Sequence, residues 1–269
     1  MTRFIVVPQW QGSPSARAMR LIDGAEAIAG DLPRSATTMV AVPPEAGEAL
    51  ETGIRRFSTL SRVREAVTAA LDAGAGPALV IGGDCAIAVP AVAHSAQTSP
   101  ELALVWFDAH GDLHSPETSP SGAAAGMALR TILDGDAGAA PILPAERILT
   151  VGARELDDAE RTFLDEVPLR RFAAADLSGP AALADAVATT GAASVHIHVD
   201  LDVLDPSVIT GVTAPVPFGL SVAELTGAIA AIRARLPLTG ASLAGFAPAG
   251  PDAAVDDLGT ILRIVGALA

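Results

Sequence analysis

Two clusters hold the residue types best suited to chemistry: Asp108-Ala109-His110-Gly111-Asp112 and His198-Val199-Asp200-Leu201-Asp202. Carboxylates and an imidazole gathered in one crevice would repel one another unless cations neutralised them. Oxygen donors with one nitrogen suit hard or borderline divalent ions, Mn2+ above all, and the number of carboxylates points to two ions. A lone Asp-x-Asp pair is most often a solvated turn or a helix cap. Two such clusters, each directly behind an apolar run, are a far more specific signal. Asp205-Pro206-Ser207, just past the second cluster, fits a sharp turn away from the strand.

The elements that position these residues follow from hydrophobic patterning. Apolar runs at 4–7, 38–42, 78–81, 102–107, 147–151, 169–172, 195–199 and 242–246 read as strands. Ala-rich segments at 15–28, 47–73, 86–97, 122–134, 156–166, 180–189, 221–235 and 253–268 read as helices. Ser221 with Glu224 is a capping box, and Asp72-Ala73-Gly74-Ala75-Gly76-Pro77 is a helix stop. Regular alternation of this kind predicts an α/β fold, a mostly parallel sheet with helices on both faces. Both clusters then lie at carboxyl ends of strands, where ligand crevices of open α/β sheets form. The Pro/Gly-rich stretches 115–122 and 210–219 follow the clusters and read as loops walling a site, so residues 1–269 read as a single domain.

Composition narrows the function classes. The 269 residues are 50% hydrophobic with a net charge of -14, which supports a sizeable core and argues against nucleic acid or an anionic membrane as partner. One cysteine, Cys85, excludes an intramolecular disulfide framework and fits a reducing cytoplasm. Met1 to Pro8 reads as a short strand without a signal-peptide layout, and Gly, Pro or charge interrupts every apolar stretch before membrane-spanning length. The expectation is a cytoplasmic protein.

Four segments, in order, resemble the signature motifs of the arginase (ureohydrolase) family: Gly82-Gly83-Asp84-Cys85, Asp108-Ala109-His110-Gly111-Asp112, Ser119-Pro120-Ser121-Gly122 and Asp200-Leu201-Asp202-Val203-Leu204-Asp205-Pro206. The resemblance implies a three-layer α/β/α fold around an eight-stranded parallel sheet, with a binuclear Mn2+ centre. It also implies hydrolysis of guanidino or formimino groups and a homo-oligomer, trimer or hexamer. Asp108 and Asp200 resemble the bridging carboxylates, His110 and Asp202 the ligands of one ion, and Asp112 a ligand of the other. His110 and Asp112 thereby take the catalytic place beside the activated water. His114, Ser119 and Ser121, with Thr118 in the same loop, resemble residues that meet the substrate's amino-acid end, and Asp157 resembles the carboxylate that receives its α-amino group. Asp157 also stands at a helix start, where any Asp caps usefully.

Three positions depart from the family pattern. Cys85 stands where a histidine normally follows Gly-Gly-Asp and serves as a ligand. Mn2+ prefers oxygen and imidazole to a soft thiolate, which leaves three readings open. Either this ion is held weakly, or the site favours Zn2+ or Fe2+, or Cys85 is a small buried hydrophobe. Ala125 stands where many relatives carry a proton-shuttling histidine, and Gly245 where many carry a glutamate that pairs with the guanidinium. Glu117 is a candidate replacement for that glutamate, while His94, His196 and His198 read as packed or supporting residues. The expected function is a metal-dependent amidinohydrolase acting on a small guanidino substrate, arginine-like or N-hydroxyarginine-like. The alternatives are a catalytically impaired family member acting as scaffold, sensor or regulatory partner, and a hydrolase of some other amide or imine.

Overall fold

The strands are β1 (Arg3–Val6), β2 (Thr37–Met39), β3 (Ala78–Ile81), β4 (Leu102–Phe107), β5 (Ile148–Val151), β6 (Arg170–Phe172), β7 (Ser194–Asp200) and β8 (Leu238–Ala244), and the inner ones β3, β4 and β5 are continuous apolar runs or nearly so. The computed structural model describes residues 2–135 and 138–269, so Met1 of the expected first strand lies outside the described residues. The eight strands form one sheet in the order β2-β1-β3-β8-β7-β4-β5-β6. Every pairing in it is parallel. Every residue of β4 and of β7 is buried, as expected for central strands covered on both faces.

The helices are α1 (Arg20–Gly30), α2 (Phe57–Asp72), α3 (Ala88–Thr98), α4 (Ala128–Asp134), α5 (Asp158–Glu166), α6 (Ala181–Ala188), α7 (Val222–Arg233) and α8 (Ala254–Leu268). Successive strand residues point to opposite faces, which divides the core in two. Phe4, Val6, Val105, Phe107, Val195, Ile197 and Val199 pack with apolar residues of α1, α6, α7 and α8. Ile5, Val80, Leu104 and Trp106 pack with residues of α2, α3, α4 and α5. On this second face β7 contributes Ser194, His196 and His198 instead of hydrocarbon, all of them buried.

Several expected boundaries move, each for a local backbone reason. The helix expected over 47–73 begins only at Phe57, because Gly47, Leu50, Glu51, Gly53 and Arg56 all have positive φ and cannot continue a right-handed helix. The helix expected from 122 begins at Ala128, behind Gly122 at φ 63 and a short 3-10 turn over Ala125–Met127. The last strand, expected over 242–246, runs Leu238–Ala244 and stops where Gly245 takes φ 91. Helix α1 starts at Arg20 rather than 15, and β2 ends at Met39 ahead of Pro43-Pro44. The Ser221–Glu224 capping box forms as expected. Among the described residues no helix is long and apolar enough to cross a membrane.

Candidate metal centre

The chemistry-bearing residues leave the carboxyl ends of β3, β8, β7 and β4, four adjacent strands at the middle of the sheet. Beyond β3, Asp84 caps the turn that carries Cys85, accepting hydrogen bonds from Ala86 N at 3.1 Å, Gln9 Nε2 at 3.0 Å and Gly12 N at 3.0 Å. Its oxygens are thereby committed to holding the loop. Beyond β4, His110 N donates to Asp108 Oδ1 at 2.7 Å, folding the segment back over its own carboxylate. Beyond β7, Asp202 N donates to Asp200 Oδ1 at 2.9 Å, and Ala109 N donates to Asp202 Oδ1 at 3.1 Å, which ties the two acidic segments together.

Side chains from both segments converge. His110 Nδ1 lies 3.0 Å from Asp202 Oδ2 and 3.4 Å from Asp108 Oδ1. The Cys85 thiol donates to Asp200 Oδ2 at 2.8 Å and lies 3.7 Å from Asp108 Oδ2, which also accepts from Trp106 Nε1 at 3.3 Å. Asp112 is held at φ 53, a conformation that Asp tolerates better than most residues. Asp108, Asp112, Asp200 and Asp202 are all buried.

Four buried carboxylates lining one crevice are costly as anions. Burial, reinforced by Asp202, pushes Asp200 up to about 7, and burial with Asp108 pushes Asp202 up to about 6. Burial and the neighbouring carboxylates raise Asp108 and, far more, Asp112. Burial works against a charged His110, yet its hydrogen bonds to Asp108 and Asp202 push it up to about 12. Burial, helped by Asp200, Asp112 and Asp108, raises the Cys85 thiol.

The donor set fits divalent cations. Asp108, His110 and Asp202 bring one ligand atom each within 4.8 Å of one another, as do Cys85, Asp108 and His198. Asp112 Oδ2 is buried without a hydrogen-bond partner among the described residues, a lone pair that a cation would satisfy. Proton and cation compete for the same atoms here, so metal uptake releases protons.

The crevice opens into a cavity of about 230 Å3 whose wall includes His114, Ser121, Ala125, Glu160, Thr213 and Gly245. The loops over 115–122 and 210–219 thus both contribute to it. His114 Nε2 lies 3.2 Å from Asp157 Oδ2. Asp157 caps α5 as expected, its Oδ1 accepting from Glu160 N at 2.9 Å. Ser121 lines the cavity and accepts from Ala123 N at 3.2 Å, whereas the Ser119 hydroxyl serves its own loop by accepting from Gly122 N at 3.0 Å. Thr118 Oγ1 meets His114 Nδ1 at 3.3 Å. Glu117 is exposed, accepts from Ser115 Oγ at 2.6 Å and is not among the residues lining this cavity, so it does not take the place of the absent glutamate. His94 sits elsewhere, paired with Asp72 at 3.1 Å.

Three residues of this region were not expected to bind or act. Glu155 Oε2 lies 3.6 Å from His110 Nε2, and the buried Glu160 accepts from Leu113 N at 3.2 Å while lining the cavity. Asp157 and Glu160 form a capping box, whose three-residue spacing is the one signal that points to Glu160. His198 heads the second cluster, but its alternation with His196 along a strand reads as packing.

With this geometry in view, similarity to known proteins settles the class. The model of the arginase family matches residues 26–255, and the chain belongs to that family. Arginase of Bacillus subtilis strain 168 is 36% identical over 157 residues, 54% of this chain and 53% of that protein. Arginase of Bacillus caldovelox is 33% identical over 190 residues, 64% of this chain and 62% of that protein. The chain therefore aligns with between half and two thirds of the length of these relatives. The crystal structure of Entamoeba histolytica arginase in complex with L-ornithine superposes with a TM-score of 0.85 at 21% identity, covering 99% of this chain and 97% of that one, which shows a shared fold.

Proposed function

We propose that this protein, as one arginase-type domain, is a divalent-metal amidinohydrolase for a guanidino compound less basic than arginine, an N-hydroxyguanidine being the best fit. The observation that carries the reading is the buried carboxylate crevice under an open cavity, with the Asp112 Oδ2 lone pair unpartnered. Asp108, His110, Asp112, Asp200 and Asp202, with Cys85, would hold the ions, and Mn2+ suits the oxygen-rich part of the set. When bound, the ions supply Lewis-acid polarisation and bring water's acidity near neutrality.

The chain's own residues set the specificity. Asp157, paired with His114 of the cavity wall, would receive a substrate ammonium group, with Ser121 lining the same cavity as His114. Gly245 itself offers no carboxylate to a guanidinium, and a buried unpaired cation is unfavourable. A hydroxyl on the guanidino group lowers its basicity and so removes much of that requirement. Ala125 carries no transferable proton, so transfer to the leaving group would fall to His114, whose ring lies near Gly126 next to it. Loss of an acid-base group is typically worth about 10²–10⁴-fold, so turnover of arginine itself should be slow.

Cys85, Ala125 and Gly245 together favour a second reading, a metal-stabilised family member without turnover. Metal content per chain after purification in Mn2+, alongside release of urea or hydroxyurea from a guanidino panel, separates the two. Ions with product from any substrate support the amidinohydrolase; ions with no product support the second reading. The trimer or hexamer expected of the family is tested by light scattering on the same sample.

A further inference from the structure

The imidazole of His198 ends on a nitrogen that nothing satisfies. His198 is fully buried on β7, and its Nε2 has no hydrogen-bond partner among the described residues. The opposite ring nitrogen is well supported: Nδ1 lies 2.8 Å from Ser242 Oγ on β8. Ser242 Oγ in turn lies 3.3 Å from His196 Nε2, and His196 Nδ1 lies 2.9 Å from Ser95 Oγ on α3. Trp106, the register partner of His198 on β4, covers the ring face at 3.8 Å between centroids and also holds Asp108.

This chain of groups has a consistent proton order. A neutral ring carries one N–H, and His198 Nδ1–H donating to Ser242 lets the serine hydroxyl donate to His196 Nε2. His196 Nδ1–H then donates to Ser95 Oγ. That order leaves His198 Nε2 as a bare lone pair. Metal-binding histidines have this arrangement, one nitrogen fixed by an outer hydrogen bond and the other free to ligate. One ring nitrogen of His198 lies within 4.8 Å of Cys85 Sγ and an Asp108 oxygen. Nδ1 is engaged by Ser242, which leaves Nε2 for that role.

Resting on the reading of this crevice as a metal centre, we propose that His198 Nε2 is a ligand of the ion beside Cys85. Because Cys85 stands where relatives place an imidazole, β7 supplies one from beneath, and the seat becomes Cys85, His198 and Asp108. Sulfur, nitrogen and oxygen together suit Zn2+ or another borderline ion better than Mn2+. The neighbouring set of Asp108, His110 and Asp202 stays harder, and Asp108 is common to both. The two seats thus differ in metal preference.

The test uses metal-free full-length protein titrated with Zn2+ against a chromophoric chelator, with elemental analysis of ions retained. His198→Asn keeps a polar group near Ser242 and removes the atom at Nε2. Loss of an outer hydrogen-bond partner typically weakens metal by about 10–100-fold, so a ligand should cost more. The expected result is a fall in Zn2+ affinity beyond roughly 100-fold at one seat, with the other still filled. A smaller fall overturns the proposal. Should the variant not fold, 15N-histidine-labelled wild-type protein answers the same question. Zn2+ must shift the His198 Nε2 resonance while Nδ1 keeps its protonated position, and an unmoved Nε2 overturns the assignment. Wild-type protein that takes up no divalent ion at all refutes the underlying metal-centre reading instead.

Discussion

Replacing Asp112 by Asn should make the metal-free protein more stable and the metal-loaded protein relatively less so. The Asp112 carboxyl is buried, lacks a partner at Oδ2 and is raised well above its ordinary value of 3.8, by burial first and then by Asp108. Keeping a carboxyl protonated costs about 1.4 kcal/mol for each pH unit above its ordinary value, so at pH 7 the native state loses at most about 4 kcal/mol that Asn does not lose. Asn also accepts φ 53 readily, and Arg130 N still meets the backbone carbonyl at 112. The sign follows from linkage: between the ordinary and the raised value the folded wild type binds more protons than the unfolded chain. Acidification therefore stabilises wild type relative to the variant. The Asn advantage is largest at neutral pH and vanishes below about 3.8, the unfolded-state value. Mn2+ at 100 times its dissociation constant adds about 2.7 kcal/mol to wild type, and the variant, short of one oxygen ligand, gains much less. Urea unfolding at pH 7 and pH 4.5, with chelator and with Mn2+, reads all four conditions. A variant less stable than wild type in chelator, or one that gains as much from Mn2+, would refute the argument that this carboxylate is kept for a cation at the expense of stability.

Three further outcomes are expected. Cys85→His should raise Mn2+ content towards two ions per chain, and a natural protein already holding two would contradict a weakened seat at Cys85. Gly245→Ala should destabilise by about 1–3 kcal/mol from its positive φ alone. At φ 91 the new Cβ would also collide with Asp200 Oδ1, so bound metal should fall with it; an Ala variant with wild-type melting and metal content contradicts this. His196 is held neutral by burial, its value pushed down from 6.5 to about 3, so its contribution to stability is complete above 6.5 and is lost as pH falls towards 3. The raised carboxylates act in the opposite sense over the same range, so the comparison is wild type against His196→Asn. The wild type should lose up to about 1.4 kcal/mol more per pH unit than the variant, and parallel stability curves would contradict it.

Much of this protein is legible in its residues. Parallel strands buried on both faces must be continuous apolar runs, so Leu102–Phe107 shows its place in the sheet without coordinates. The acidic segments follow such runs directly, which puts Asp108 and Asp200 at strand ends whatever the details of packing. Boundaries were less legible where backbone sign mattered, since left-handed Leu50, Glu51 and Arg56 carry no mark of it in their residue type. Long-range proximity was not legible at all. That Asp157 caps a helix with one oxygen and meets His114 with the other depends on how α5 docks against the loop after β4. Glu117 looked available by sequence distance, yet it faces solvent. His198 looked like packing, because strand alternation gives a residue's face but not what a neighbouring strand brings opposite its ring. The register of β7 with β4 and β8 sets Trp106 and Ser242 around that imidazole, and the turn after β3 brings Cys85 to the same imidazole. Local pattern determined which residues could bind; only the tertiary arrangement decided which of them meet.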